Sequence, residues 1–157
     1  MTRIDYNKVA PGGVQAVYGL EKYLRSTGLE PLLIELVKLR ASVMNGCAYC
    51  VDLHTKDARA KGETEQRLYA VPVWRETPFF SPRERMALAW TEAVTDIGTR
   101  GVSDALYEEA RAQFNDKELV DLTFAVIAIN AWNRLAVTFR PAVGHYQPAA
   151  AKTAASA

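Results

Sequence analysis

Apolar residues recur along most of this chain at the three- and four-residue spacing of a helix face. No run of four to eight residues combines strict alternation with β-branched side chains and hairpin turn residues. The pattern predicts an all-α chain of about six to seven helices. Val14, Val17, Tyr18 and Leu24 mark the first, over 14–26, with Gly28 past its end as a stop. Pro31, tolerated in a first turn where its missing N–H has no partner anyway, opens a second that runs through Leu36 and Leu39 to Met44. Asn45-Gly46 ends or bends it. A third is expected from Cys47 to Lys61, with Gly62 behind it and Lys56, Arg59 and Lys61 toward its negative end. A weaker fourth runs from Glu63 to about Val71, where Pro72 interrupts.

The clearest helix start is Ser81-Pro82-Arg83-Glu84, an S-x-x-E capping box with proline in the first helical position. Met86, Ala89, Trp90, Ala93, Val94 and Ile97 form the expected buried stripe of that helix. Ser103 caps a helix carrying Leu106, Ala110 and Phe114, and Asn115 to Glu118 repeats the cap pattern. The last helix runs to about Phe139, where Arg140-Pro141 stops it. Nine of the eleven residues from Leu119 to Ile129 are apolar, so this helix must be enclosed by its own domain or by a second subunit. A closed symmetric homo-oligomer is expected.

At 157 residues the chain is one domain, taken as 1–147 with an N-terminal arm over 1–10. The tail over 148–157 has no bulky apolar side chain and is expected to be disordered. Nineteen Lys and Arg against eighteen Asp and Glu leave a formal charge of +1, which argues against nucleic acid or an anionic membrane as partner. The longest nearly unbroken apolar stretch, from Leu119 to Ile129, falls short of the about 20 residues a bilayer crossing needs. With an N-terminus, MTRIDYNKV, that does not read as a signal sequence, a cytoplasmic protein is expected.

Both cysteines, Cys47 and Cys50, sit in one C-x-x-C stretch and cannot staple distant parts of the fold. On a helix they lie at i and i+3, and Cys50 and His54 at i and i+4, so all three share one face. Gly46 before them puts the thiols in a first turn, where unpaired N–H groups and the positive dipole end favour a thiolate. Such sites bring a cysteine pKa from about 8.5 into the range of about 3.5 to 7.5. The thiolate attacks peroxides and disulfides, and a second thiol three residues away can close a disulfide before oxidation passes the reversible sulfenic stage. The pair also reads as two buried small hydrophobes, or as part of a zinc site. Zinc needs four ligands, and C-x2-C-x3-H supplies three, with His145 the other histidine.

His54, one turn from Cys50, is read as a proton-transfer group. Glu35, twelve residues before Cys47, lies about 18 Å away on a straight helix. It reaches the thiols only through a bend at Asn45-Gly46, a water or a neighbouring subunit. Alone it is a solvated or capping carboxylate. Asn130, Trp132, Asn133 and Arg134 interrupt an otherwise apolar helix and must find partners or a wet pocket. Asn130 and Arg134 are candidate substrate-binding residues, with Arg134 alternatively pairing with an acidic residue across a subunit boundary. No Gly-rich phosphate loop, H-E-x-x-H or Rossmann fingerprint occurs.

Glu35, Asn45-Gly46-Cys47, Cys50 and His54, in this spacing, resemble the core of the AhpD-like alkylhydroperoxidases within the carboxymuconolactone decarboxylase superfamily. The likeness is strongest from about Glu35 to Gly62, with the helix from Ser81 to Ile97 and the stretch from Ile129 to Arg134 also similar to a longer branch. It implies an all-helical oligomer, a trimer or hexamer, that reduces organic hydroperoxides without metal or bound cofactor. The electron donor it implies is a dithiol reductant such as a lipoylated protein or thioredoxin. It makes Cys50 the peroxide-attacking thiol, Cys47 the resolving thiol facing the reductant, and Glu35 and His54 the proton relay. Tyr49 stands where well-studied members hold a histidine, and a phenol with a pKa of about 10 carries protons poorly at neutral pH. A lactone decarboxylase with His54 as acid/base and Arg134 as carboxylate clamp, or a redox-sensing oligomer, are the alternatives.

Overall fold

The computed structural model describes residues 2–99 and 101–149, and among them there are eight α-helices, one 3₁₀ helix and no strand. In chain order they are α1 (Tyr6–Val9), α2 (Pro11–Leu24), α3 (Pro31–Met44), α4 (Ala48–Ala60), α5 (Glu65–Ala70), the 3₁₀ helix Val71–Glu76, α6 (Pro82–Thr95), α7 (Asp104–Arg111) and α8 (Asp116–Phe139). The all-α expectation is met. Prolines occupy the first turns of α2, α3 and α6, where no backbone bond is lost. Both expected capping boxes form: Glu84 and Ser81 exchange bonds of 2.8 and 3.2 Å, and Glu118 and Asn115 bonds of 3.0 and 2.9 Å.

The core lies where α3 packs on α4, α6 and α8, with α2 against α8. Trp90, Phe114, Leu122 and Val126 belong to one apolar cluster, and Leu36, Leu39, Val71 and Leu88 to a second. Because α6 is held between α3 and α8, it buries Ala87, Leu88, Thr91 and Glu92 as well as Trp90 and Ala93. Ile97, expected in its stripe, lies beyond the last turn and is exposed.

α8 is 24 residues long and contains an 18-residue window of mean hydropathy 1.3, enough by length and composition to cross a membrane and more than the eleven-residue stretch suggested. Its inward face, including Leu122, Val126, Ile129 and Asn133, is buried against other helices. Val120, Ile127 and Val137 face outward, exposed. The N-terminal arm is docked on the end of α8: the Arg3 amide donates to the Phe139 carbonyl at 2.9 Å, and the Tyr6 ring lies 5.9 Å from that of Phe139. The expected disorder of the tail falls almost wholly on 150–157, outside the described residues.

Candidate active site

Everything at the site depends on the turn between α3 and α4. Gly46 takes the left-handed conformation, φ 63°, that a side chain disfavours. The Cys47 amide reaches back to the Ser42 carbonyl at 2.9 Å and the Gly46 amide to that of Val43 at 3.2 Å, a Schellman ending that reverses the chain. α4 therefore runs back along α3. The 18 Å separation of a straight helix collapses, and Glu35 Oε2 stands 2.8 Å from His54 Nδ1.

Glu35 also accepts a bond from the Lys61 ammonium, at 2.6 Å on Oε1. Burial pushes the Glu35 carboxyl upward, but the hydrogen bond and charge of His54, joined by those of Lys61, overcome it and hold the group at about 2, below its ordinary 4.5. With Nδ1 engaged by the carboxylate, His54 is left with Nε2 to exchange a proton. A carboxylate held low in the fold stabilises it above its unfolded value and loses that contribution as pH falls through the folded one. Wild type and Glu35→Gln, compared by urea unfolding, are expected to differ most near neutral pH. The gap should close by roughly 3 kcal/mol between pH 4.5 and 2. A pH-independent gap would contradict this ion pair.

Cys47 and Cys50 are joined as a disulfide. Cys47 was expected to open α4; instead it caps it from an extended backbone, and its sulfur accepts the Cys50 amide at 3.3 Å. The two residues line different spaces, which share Tyr49 and Ala136 as walls. Cys50 lines a cavity of about 560 Å³ together with Glu35, His54, Leu53, Tyr49 and Trp132. Cys47 lines a separate depression with Gly46, Ala48, Val137, Arg140 and Pro141. Both cysteines are buried, Cys47 at 1% exposed and Cys50 at 3%, packed among Ala41, Ile129 and Ala136.

Residues 11–93, just over half of the chain, match the model of the carboxymuconolactone decarboxylase family. The chain belongs to that family. It is 42% identical to YdfG of Bacillus subtilis over 86% of this chain and 92% of that protein. It is 47% identical to a protein of unknown function from Agrobacterium tumefaciens that carries the AhpD antioxidant-defence name. Superposition on that crystal structure gives a TM-score of 0.87 over 95% of this chain and 99% of the other. The debrominase Bmp8 shares the fold alone, at 17% identity and a TM-score of 0.77 over 86% of this chain and 73% of Bmp8.

In this carboxymuconolactone decarboxylase family member the structure does not bring Asn130 and Arg134 to the cavity. Their contacts lie at the turn between α3 and α4 and along α8 itself. Asn45 Nδ2 donates to Asn130 Oδ1 at 3.0 Å and Asn133 Oδ1 at 2.9 Å, and Asn133 Nδ2 donates to Ser42 Oγ at 3.1 Å. Exposed Arg134 donates to Asn130 Oδ1 at 2.8 Å and to its carbonyl at 3.0 Å. The amides of α8 thus clasp the turn that presents the cysteines. Asn45→Ala strands the buried Asn133 oxygen and should lower the unfolding free energy by about 2 kcal/mol. Arg134→Ala, at an exposed position, should stay within about 0.5 kcal/mol of wild type. Urea denaturation decides both.

Three residues of the site escaped the sequence reading. Asp57 and Lys61 follow His54 by three and seven residues, one on the same face of α4 and the other at its C-cap, a periodicity that would have found them. Tyr146, in the segment after α8, carries no such signal. Glu35, His54 and Asp57 bring three potential ligand atoms within 4.8 Å of one another. A cation there would compete with the Lys61 ammonium for Glu35 and with the Tyr146 hydroxyl, 2.6 Å away, for Asp57.

Proposed function

We propose that the chain is a dithiol peroxidase of AhpD-like type that reduces organic hydroperoxides at Cys50. The observation that carries this reading is the placing of Cys50, and not Cys47, on the cavity that holds His54 with its Nδ1 fixed by Glu35. In the reduced protein Cys50 gives its proton to His54 Nε2, and the thiolate attacks the outer peroxide oxygen. An S–O bond forms, the O–O bond breaks, and the alcohol leaves with the proton held by His54. The peroxide has taken up two electrons and Cys50 is a sulfenic acid. Cys47 then attacks the Cys50 sulfur, the S–O bond breaks with release of water, and the disulfide closes. A dithiol reductant, such as a lipoylated protein or thioredoxin, returns the electrons. Leu24, Leu53, Tyr18 and Trp132 along the cavity suit an apolar organic group on the hydroperoxide.

One equivalent of cumene hydroperoxide added to phosphine-reduced protein tests the reading. Loss of both thiols of each chain with formation of one equivalent of cumyl alcohol supports it. Retention of both thiols rejects it. Arg134, the carboxylate clamp of the lactone decarboxylase alternative, does not line this cavity.

A cycle that needs continual reduction fits a cytoplasmic location, where thiols are kept reduced. The proposal includes a homo-oligomer, a trimer or hexamer. Its support is the row of Val120, Phe124, Ile127 and Ala131 at helical spacing along α8, with Val120 and Ile127 exposed. Light scattering at micromolar concentration should give a multiple of 17.4 kDa. The monomer mass would remove the oligomer from the proposal.

A further inference from the structure

The Cys50 cavity and a groove on the outer surface share four wall residues, Pro31, Asp57, Lys61 and Tyr146. Pro31, Asp57 and Lys61 belong to α3, α4 and the C-cap of α4. Tyr146 lies in the segment 140–149, which has no helix or strand. That segment is tied to α4 by polar contacts. The Tyr146 hydroxyl donates to Asp57 Oδ1 at 2.6 Å. The Lys56 ammonium, paired with Asp52 at 2.9 Å, donates to the carbonyls of Tyr146 at 3.1 Å and Gly144 at 3.4 Å. The backbones of Pro31, Asp57 and Lys61 are fixed in, or at the end of, helices that form the core. Tyr146 can leave by breaking one hydrogen bond and turning about its own side-chain bonds.

We infer that Tyr146 is a specificity-determining gate: its ring closes the cavity toward the outer groove and decides how large a substrate reaches Cys50. With the phenol held on Asp57, small molecules reach the sulfur and bulky ones are held back. With the ring swung out, cavity and groove join along Pro31, Asp57 and Lys61. The inference rests on the reading of Cys50 as the substrate-facing sulfur. Asp57 acts here as a positioning residue, since it holds the phenol and not the substrate.

The test reads thiol access and uses no peroxide. Phosphine-reduced wild type, Tyr146→Phe and Tyr146→Ala are treated with iodoacetamide and, separately, with fluorescein maleimide. The rate of modification at Cys50 is followed by peptide mass spectrometry. The ratio of bulky to small reagent rates should rise in the order wild type, Phe, Ala. Phe retains the ring and loses only the hydrogen bond to the carboxylate, so its expected rise is about tenfold. A ratio common to all three proteins overturns the gate. So does an equal rise with both reagents, which is what general loosening of the fold gives. A rising ratio in a protein that leaves cumene hydroperoxide unreduced keeps the gate and rejects the peroxidase reading, whereas a constant ratio in an active peroxidase does the reverse.

Discussion

Replacing Cys50 with serine is expected to abolish the reaction with hydroperoxide, while replacing Cys47 leaves one oxidation per chain and no turnover. The asymmetry comes from the turn after α3. Cys47 caps α4 and faces the depression beside Val137 and Arg140, whereas Cys50, one helical turn before His54, faces the cavity. With Cys47→Ser, Cys50 can still attack peroxide and stops as a sulfenic acid that a dimedone-type probe traps. With Cys50→Ser, the remaining sulfur has no wall on the cavity that holds the proton acceptor. Mass spectrometry after one equivalent of peroxide reads both variants directly. A trapped sulfenic acid on Cys47 in the Cys50 variant, with an inert Cys47 variant, would reverse the roles. The Cys47 sulfur already accepts the Cys50 amide at 3.3 Å, which keeps it beside the sulfur it attacks in the resolving step.

The second large effect is expected at the relay. Glu35→Gln keeps the shape of the side chain and removes the charge that holds His54 Nδ1–H, and His54→Phe removes the proton carrier altogether. Peroxide turnover should fall by about 10²- to 10⁴-fold in each, the range typical of a positioned acid/base. The double variant should be little worse than either single one, because the two act as one unit. Thiol alkylation near neutral pH should slow in His54→Phe, while circular dichroism stays that of the wild type. Turnover unchanged in both variants would make the 2.8 Å contact a structural ion pair. Lys61 shares Glu35 and is more exposed than it, so Lys61→Met should raise the Glu35 carboxyl above its position of about 2.

How much of this was legible in the sequence follows from how local each feature is. The capping boxes at Ser81 and Asn115 and the stop at Arg140-Pro141 are set within a few residues, and they form as read. The shared face of Cys50 and His54 needs only helix geometry. The contact between Glu35 and His54 needed the reversal at Gly46, and a glycine that can end or bend a helix does not say by how much. Asn130 and Arg134 were read toward a substrate because polar groups in an apolar helix need partners. Sequence cannot tell that Asn45, 85 residues before Asn130, supplies one. The burial of Cys47 depends on Ile129 and Ala136 from α8, and Tyr146 reaches Asp57 across 89 residues of sequence. Contacts of that range are fixed by tertiary packing and leave no periodic trace.

The central claim is that the Cys47–Cys50 pair cycles between dithiol and disulfide to reduce an organic hydroperoxide. Steady-state consumption of cumene hydroperoxide by catalytic amounts of the protein, with dihydrolipoamide, thioredoxin or glutathione supplied in turn, tests it most directly. The account predicts many turnovers with a dithiol donor and none when Cys50 is serine. Consumption no faster than the protein-free control with all three donors would contradict it.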